Sequence, residues 1–479
     1  MNHDKWYGLT LYELLEKACN MYGDKNLFAY MEQGEEKRVS YRKFLKDVQT
    51  VAGHFSTKDL RGKYVAIEGR QEYEIIVAMY AAVSVGGIAV MLNLDMSQAE
   101  VDRAFATMSP ALIVTGEDNY EVVEEYVGTS RVPCVLSKGE GVTIRNWIEN
   151  EEMPFVYSGE AQPENPALVL LTSGSTSLSK YVLLSHYAFL PRKELLTEKG
   201  MLLFPLYHVA GISVIQLGVC FGIEICISNM KEGLRDIGWF RPTEIVSVPA
   251  FTLLLVNRSK QGLLDLSGFE CIYSGAAPQN MENVEYLTAR NIVTYSSYGA
   301  TETGGQVTYS SRSEIRNGSV GKPGTWNEIK LSDEGEILVR GKNIMLGYIG
   351  NEKETMEAVQ DGWYHTGDVG RFDEDGFLYI VGRIKNIIIL SNGENVSPEA
   401  VETQLSMCEE IDEVVVMGKE DMIVAHIWCG ENVSEERRNK VEKYIKMYNR
   451  SVPSYHRVQK TVFREVPFEK TSTGKIKRV

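Results

Sequence analysis

The stretch YVAIEGRQEYEIIVAMYAAVSVGGIAVML, residues 64–92, reads as strand, helix and strand in direct succession. Tyr64-Val65-Ala66-Ile67 is an apolar run of strand length. From Glu72 to Val85 the apolar residues recur with helical spacing. The pair Gly86-Gly87 then breaks the helix, and Ile88 to Leu92 is again a buried-strand run. The alternation continues on both sides. Leu9 to Tyr22 has the spacing of an amphipathic helix, and Ala111-Leu112-Ile113-Val114, Ala167 to Leu171 and Glu244 to Val248 read as further strands. Strands alternating with helices predict an α/β protein with parallel-rich sheets and helices in a large, multi-layered N-terminal domain.

With 479 residues the chain is too long for one simple core, so two or more domains are expected. The sharpest change comes after Gly382, where a shorter unit begins with its own strand signals: Asn386 to Leu390, Glu413 to Met417 and Ile423 to Trp428. This divides the chain into residues 1–382, a link at 383–385, and a small C-terminal α/β domain at 386–479. No internal repeat or low-complexity segment interrupts either part.

Composition narrows the function classes. The chain is 44% hydrophobic and 24% charged, as ordinary soluble globular proteins are. Its 50 basic and 65 acidic residues give a net charge of −15, which argues against nucleic acid or an anionic membrane as a general partner. Seven cysteines, none in a C-x-x-C pair, read as reduced structural thiols of a cytoplasmic protein. Met1 to Trp6 lacks the apolar core of a signal peptide. From Gly200 to Ile223 there is no charged residue, a length that would span a bilayer. Pro205, His208, Gln216 and the glycines at 211, 218 and 222 favour a buried strand–loop–helix there instead.

Several segments carry candidate chemistry. After the strand beginning at Ala167 comes Thr172-Ser173-Gly174-Ser175-Thr176-Ser177-Leu178-Ser179-Lys180. Small residues there leave N–H groups and hydroxyls to wrap a phosphate chain, and Lys180 adds a cation. His208 stands in apolar surroundings, where a histidine is as readily a core residue as a functional one. Tyr273-Ser274-Gly275-Ala276-Ala277 ends a strand in small residues on which a flat ring could lie. Tyr298-Gly299-Ala300-Thr301-Glu302 offers an aromatic face, a tight glycine turn, a hydroxyl and a carboxylate that suits Mg²⁺. Gly367-Asp368 presents a carboxylate able to accept from vicinal hydroxyls. Near the end, Lys470-Thr471-Ser472-Thr473-Gly474-Lys475 suits a loop that delivers one ammonium to an oxyanion. Each segment taken singly also fits an ordinary polar turn or solvated end.

Taken in order, TSGST with Lys180, PLYHVAG, YSGAAP, YGATE, YHTGD, GRIKN and KTSTGK resemble the adenylate-forming superfamily. That superfamily comprises acyl-CoA synthetases, adenylation domains of peptide synthetases, and luciferases. The resemblance covers roughly residues 10–479. The stretch from Gly382 to Glu402 and the FEKTSTGKIKR ending are most similar to fatty-acyl and related CoA ligases. It implies ATP-dependent conversion of a carboxylic acid to an acyl-adenylate, with Mg²⁺, and then transfer to the thiol of CoA.

By position it implies that residues 172–176 and Lys180 hold the β- and γ-phosphates. Tyr298 would stack on adenine beside the backbone of Gly275, Ala276 and Ala277. Thr301 would contact the α-phosphate, Glu302 would hold Mg²⁺, and Asp368 with Arg383 would take the ribose. His208 would lie between the carboxylate and thiol sites, Lys385 would be the hinge, and Lys475 would neutralise charge at the α-phosphorus. A carrier-protein phosphopantetheine as acceptor, loaded on an acyl carrier protein, and a non-catalytic nucleotide-binding relative are the alternatives.

Three departures stand out: Ser177 and Tyr181 replace usual glycines, and Ser179 a usual proline; the loss of the two glycines predicts a stiffer phosphate loop. The chain is also short for a long-chain acyl-CoA synthetase. The segment Gly211 to Phe221 contains no acid to meet an amino-acid ammonium, which favours a plain carboxylic acid.

Overall fold

The computed structural model describes residues 6–93, 96–150, 152–172, 180–189, 197–275, 279–391, 394–470, 476 and 478. Residues 64–92 form the predicted unit: strand Tyr64–Glu68, helix Tyr73–Ser84 and strand Ile88–Leu92, with the two strands parallel and adjacent. All twelve residues of that helix are buried, including Glu74 and Ser84. A helix with every residue buried has no solvent face and lies inside the protein, with the Glu74 carboxylate met by Arg145.

Two seven-stranded sheets form the bulk. One runs Val293–Ser296, Cys271–Ser274, Glu244–Ser247, Lys199–Leu202, Glu224–Ile227, Asn26–Glu32 and Glu35–Ser40, parallel except at its last pair. The other runs Gly347–Tyr348, Tyr181–Ser185, Pro166–Leu171, Ile88–Leu92, Tyr64–Glu68, Leu112–Thr115 and Cys134–Leu136. Its first two pairings are antiparallel and the rest parallel. The largest hydrophobic core joins both sheets to helices Leu11–Tyr22, Tyr41–Ser56, Tyr73–Ser84 and Val209–Phe221. Thr10 starts the first of these with a capping box, its hydroxyl accepting from the Glu13 N–H while the Glu13 carboxylate accepts from Thr10 N.

The uncharged stretch is the strand Lys199–Leu202, a loop and the buried helix Val209–Phe221. Among the described residues no helix is long and apolar enough to cross a membrane. No two of the cysteines are joined in a disulfide.

An antiparallel sheet of five strands follows, in which Trp363–Phe372 pairs with both Glu336–Arg340 and Leu378–Arg383. Beyond it, Glu413–Lys419, Met422–Trp428 and Val458–Phe463 make a three-stranded sheet with helices Pro398–Leu405 and Glu435–Ser451. This part has its own hydrophobic core, drawn from residues between Ile388 and Val458. The expected strand Asn386 to Leu390 shrinks to Ile388–Ile389, because Ile384–Asn386 closes into a single 3₁₀ turn. Arg383 ends a strand, paired in register with Asp368, and does not lie in a loose link.

Candidate active site

The carboxyl end of the parallel strands is the usual place for a ligand in α/β proteins, and it is the edge from which Gly275 and Tyr298 follow. In the first sheet, Glu244–Ser247, Cys271–Ser274 and Val293–Ser296 end there. Gly275 N donates to Ser247 O at 3.2 Å, holding the chain extended past the sheet edge. Among the described residues a Cβ on Gly275 would meet only Ser297 Oγ, at 3.9 Å, which suits the approach of a flat ligand.

Tyr298 follows this edge. Its N–H donates to Thr308 Oγ1 at 2.9 Å and its hydroxyl donates to Asp368 Oδ2 at 2.7 Å. The other oxygen, Asp368 Oδ1, accepts from Arg383 Nε at 2.5 Å. Burial, reinforced by the Asp368 charge, pushes the Tyr298 phenol well above its ordinary range, so it stays a donor. Asp368 sits in the middle of strand Trp363–Phe372, directly after Gly367 with φ +70°. Gly367 N donates to Glu336 Oε1 at 2.9 Å, and Glu336 Oε2 bonds His365 Nδ1 at 2.8 Å. The Gly-Asp pair is therefore a kinked strand and not a turn.

Gly299 is not a turn either: Gly299–Ala300 is a short strand paired with Gly305–Gln306. A Cβ on Gly299 would stand 2.1 Å from Gly305 O, so this close approach demands glycine. The reversal falls at Gly304 and Gly305, whose φ values are +60° and +98°. Between the strands, Thr301–Thr303 form a 3₁₀ turn that carries Glu302. Met345 N donates to Glu302 O at 2.8 Å and Asn343 Nδ2 to Thr303 O at 2.7 Å, fixing that turn.

The Glu302 Oε1 atom accepts from Tyr348 Oη at 2.9 Å. Among the described residues no group of three or more metal-binding side chains occurs. One carboxylate is what Mg²⁺ needs when phosphate oxygens and water supply the remaining ligands, so Glu302 fits a Mg²⁺ that arrives with nucleotide.

At the phosphate loop, Thr172 N donates to Lys180 O at 3.0 Å, closing the base of a hairpin. Thr172 Oγ1 is buried with no hydrogen-bond partner among the described residues, a donor awaiting an acceptor. Tyr181 is a buried strand residue facing Leu171, so replacing glycine there stiffens the hairpin base. Lys180 Nζ forms an ion pair with Glu354 and lies 4.5 Å from the centroid of the Tyr348 ring.

His208 caps helix Val209–Phe221, its Nδ1 accepting from Ala210 N at 3.2 Å, and stacks on Phe204 at 5.5 Å. Burial pushes it down to about 4, so it is neutral near pH 7. Lys385 is exposed in the turn Ile384–Asn386. Ser173, Gly174, Ser175, Thr176, Ser177, Ser179, Ala276, Ala277 and Lys475 lie outside the described residues. On either side of the last of these, Lys470 pairs with Glu413 at 2.5 Å, and Arg478 pairs with Glu402.

The structure thus brings Tyr298, Asp368 and Arg383 into one cluster, and Glu302 and Lys180 into another through Tyr348. Sequence reasoning missed Tyr348, Glu354, Glu336 and His365. Tyr348 and Glu354 stand in and after the short stretch Gly347-Tyr348-Ile349-Gly350-Asn351, which carries no chemistry of its own in the sequence. Only the fold carries them to residues 46 and 174 positions earlier in the chain.

The chain belongs to the AMP-binding enzyme family. The sequence model of that family matches residues 15–349, and the model of its C-terminal domain matches residues 385–479. The chain is 29% identical over 467 residues to a 2-succinylbenzoate–CoA ligase of Listeria innocua serovar 6a, covering 93% of this chain and 94% of the relative. It is also 29% identical over 410 residues to a 2-succinylbenzoate–CoA ligase of Bacillus anthracis, covering 81% and 82%.

Among solved structures, an anthranilate CoA ligase in complex with anthranoyl-AMP superposes with a TM-score of 0.87 at 19% identity, over 100% of this chain and 97% of that one. An O-succinylbenzoate coenzyme A synthetase from Bacillus subtilis in complex with AMP gives 0.80 at 22% identity, over 98% of both chains. These likenesses establish the α/β fold, with its large N-terminal and small C-terminal parts.

Proposed function

We propose that the chain is an AMP-forming acid–thiol ligase that converts a non-amino carboxylic acid to its CoA thioester. A carboxylate oxygen attacks the α-phosphorus of ATP, and pyrophosphate leaves. The thiol sulfur then attacks the acyl carbon, the thiol proton is released, and AMP departs. The observation that carries this reading is the Asp368 carboxylate, held between Arg383 and Tyr298.

Asp368 with Arg383 takes the ribose hydroxyls, since each carboxylate oxygen keeps a second lone pair for a ligand. The Tyr298 ring and the open backbone at Gly275 receive adenine, joined by Ala276, Ala277, Gly299 and Ala300. Thr301 meets the α-phosphate. Residues 172–176 and Lys180 meet the outer phosphates, with Thr172 Oγ1, unpartnered among the described residues, donating to one of them. Glu302 holds Mg²⁺, which neutralises phosphate charge when bound. Lys475 supplies the ammonium that meets charge developing between carboxylate and α-phosphorus. His208, neutral and fixed as a helix cap, lines the path between acid and thiol.

The domains divide at the turn Ile384–Asn386. Arg383 is bonded to Asp368 on one side, and Asn386 Nδ2 donates to Glu399 Oε1 at 2.6 Å on the other. Ile384 and Lys385 between them are the hinge, within the 383–385 link and including the Lys385 that the sequence suggests. A cytoplasmic location, where ATP, CoA and reduced thiols coexist, belongs to the same reading.

CoA is favoured over a carrier protein because the sequence relatives above are CoA ligases. For the acid, 2-succinylbenzoate leads and fatty acids follow, and helix Val209–Phe221 offers no acidic side chain to an ammonium. A pyrophosphate-release assay with 2-succinylbenzoate, anthranilate, fatty acids and amino acids, each with and without CoA, tests this. Acid-dependent release with a non-amino acid, and thioester formed only with CoA, is expected. Release with amino acids alone would overturn it.

A further inference from the structure

Lys180 and Glu354 are 174 positions apart in sequence, yet the ammonium of one rests on the carboxylate of the other. The same ammonium lies 4.5 Å from the centre of the Tyr348 ring, within cation–π range. The hydroxyl of that ring donates to Glu302 Oε1 at 2.9 Å. The short segment 347–358 is itself held firmly. Glu354 N donates to Asn351 Oδ1 at 3.1 Å, and Tyr348 N to Thr355 Oγ1 at 2.8 Å. A fixed carboxylate and a fixed ring thus receive the one described cation of the phosphate hairpin.

That pairing leaves Lys180 neutralised and turned toward Glu354. The two side chains are 33% and 39% exposed, whereas Asp368 in its pair with Arg383 is 14% exposed. Although the contacting Glu354 Oε2 is itself covered, a pair between two partly exposed side chains is weak and exchangeable, and a triphosphate carrying several negative charges outcompetes a single carboxylate for the ammonium. The Lys180 hydrogen bond also holds the Glu354 carboxyl below its ordinary range, so Glu354 is charged at neutral pH.

We propose that Glu354 is a positioning residue that parks Lys180 against the Tyr348 ring until the outer phosphates of ATP take it over. The proposal rests on the reading of residues 172–180 as the triphosphate loop. Parking keeps the lysine beside Glu302 and sets a threshold on binding: ligands with β- and γ-phosphates must displace Glu354, and AMP need not.

Calorimetric titration of the full chain with MgATP and with AMP, in the absence of acid, tests this. Glu354→Gln removes the charge and keeps the shape. MgATP is expected to bind about two- to fivefold more tightly, the range set by a partly exposed ion pair, while AMP affinity and Tm stay unchanged. Glu354→Asp, which keeps the charge, should stay within about twofold of the wild type. In a Lys180→Met background, Glu354→Gln should no longer alter MgATP binding, because the effect runs through the lysine.

Unchanged or weaker MgATP binding in Glu354→Gln would overturn the proposal. So would equal shifts for ATP and AMP, or an effect that survives in the Lys180→Met background. The titrations need no turnover, so a chain that activates no acid would sink the proposed function and still leave this result standing.

Discussion

The large N-terminal part and the small C-terminal part are built on different plans. The first buries a helix on every side, Tyr73–Ser84, within a core shared by two seven-stranded sheets. The second has one three-stranded sheet and a core drawn only from residues between Ile388 and Val458. The carboxylates suited to nucleotide and metal, Asp368 and Glu302, stand on the first. The lysine suited to the reacting phosphorus, Lys475, belongs to the second, whose chain end is tied down by Glu413 and Glu402. In the proposed reading a deep core would fix the nucleotide geometry, while a separately cored unit would move without disturbing it.

The comparison breaks most visibly if Lys475 is dispensable. Lys475→Met should lower acid-dependent pyrophosphate release by about a hundredfold or more, as loss of a charge aimed at a developing oxyanion does. Tm should stay near the wild-type value, and MgATP affinity should change far less than the rate. On the other side of the divide, Asp368→Ala removes the acceptor of both Arg383 and Tyr298. ATP and AMP binding, measured by calorimetry, should weaken together by about tenfold to a hundredfold, the range of hydrogen bonds to a charged group. AMP affinity left intact would remove Asp368 from the ribose.

The junction offers a sharper test. Lys385→Pro fixes φ within the turn Ile384–Asn386. Thioester formation from preformed acyl-adenylate should slow on the order of tenfold, while adenylate formation is largely spared. Equal slowing of both steps would mean that this turn is not the hinge.

The smallest effect separates the two parts by pH. Burial pushes His186 and His208 in the N-terminal part down to about 4 from 6.5. Below pH 6.5 the unfolded chain binds protons that the native state refuses, so this part loses stability as pH falls toward 4. In the C-terminal part, burial pushes Glu402 up to about 7 from 4.5, opposed by Arg478. There the native state keeps a proton that the unfolded chain has shed, so stability falls as pH rises from 4.5 through 7. The Tm of Glu402→Gln relative to wild type should therefore climb between pH 5 and 8, by an amount equivalent to roughly 1 kcal/mol or more. A flat difference would place Glu402 in the ordinary carboxylate range.

Much of this was legible in the sequence because its signals are local. Period and glycine placement gave the strand–helix–strand unit, and the order of motifs gave the family. Local signals also explain the errors. Gly299 looks like a turn residue, but its need for glycine comes from Gly305 O across a strand pair. Arg383 looks like part of a polar link, but its pairing with Asp368 fixes it to the preceding sheet. Tyr348 and Glu354 gave no signal, because a tyrosine after glycine and a glutamate in a charged helix are ordinary in isolation. Their meaning comes from Glu302 and Lys180, which only the folded chain sets beside them.

The central claim is that carboxylate oxygen attacks the α-phosphorus and that AMP leaves when thiol attacks carbon. Supplying the acid chosen by the panel with both carboxylate oxygens as ¹⁸O, together with MgATP and CoA, reads this out by mass spectrometry of the nucleotide product. The account predicts AMP carrying one ¹⁸O for each thioester made, with unlabelled pyrophosphate. Unlabelled AMP, or ADP with label in orthophosphate, would contradict it.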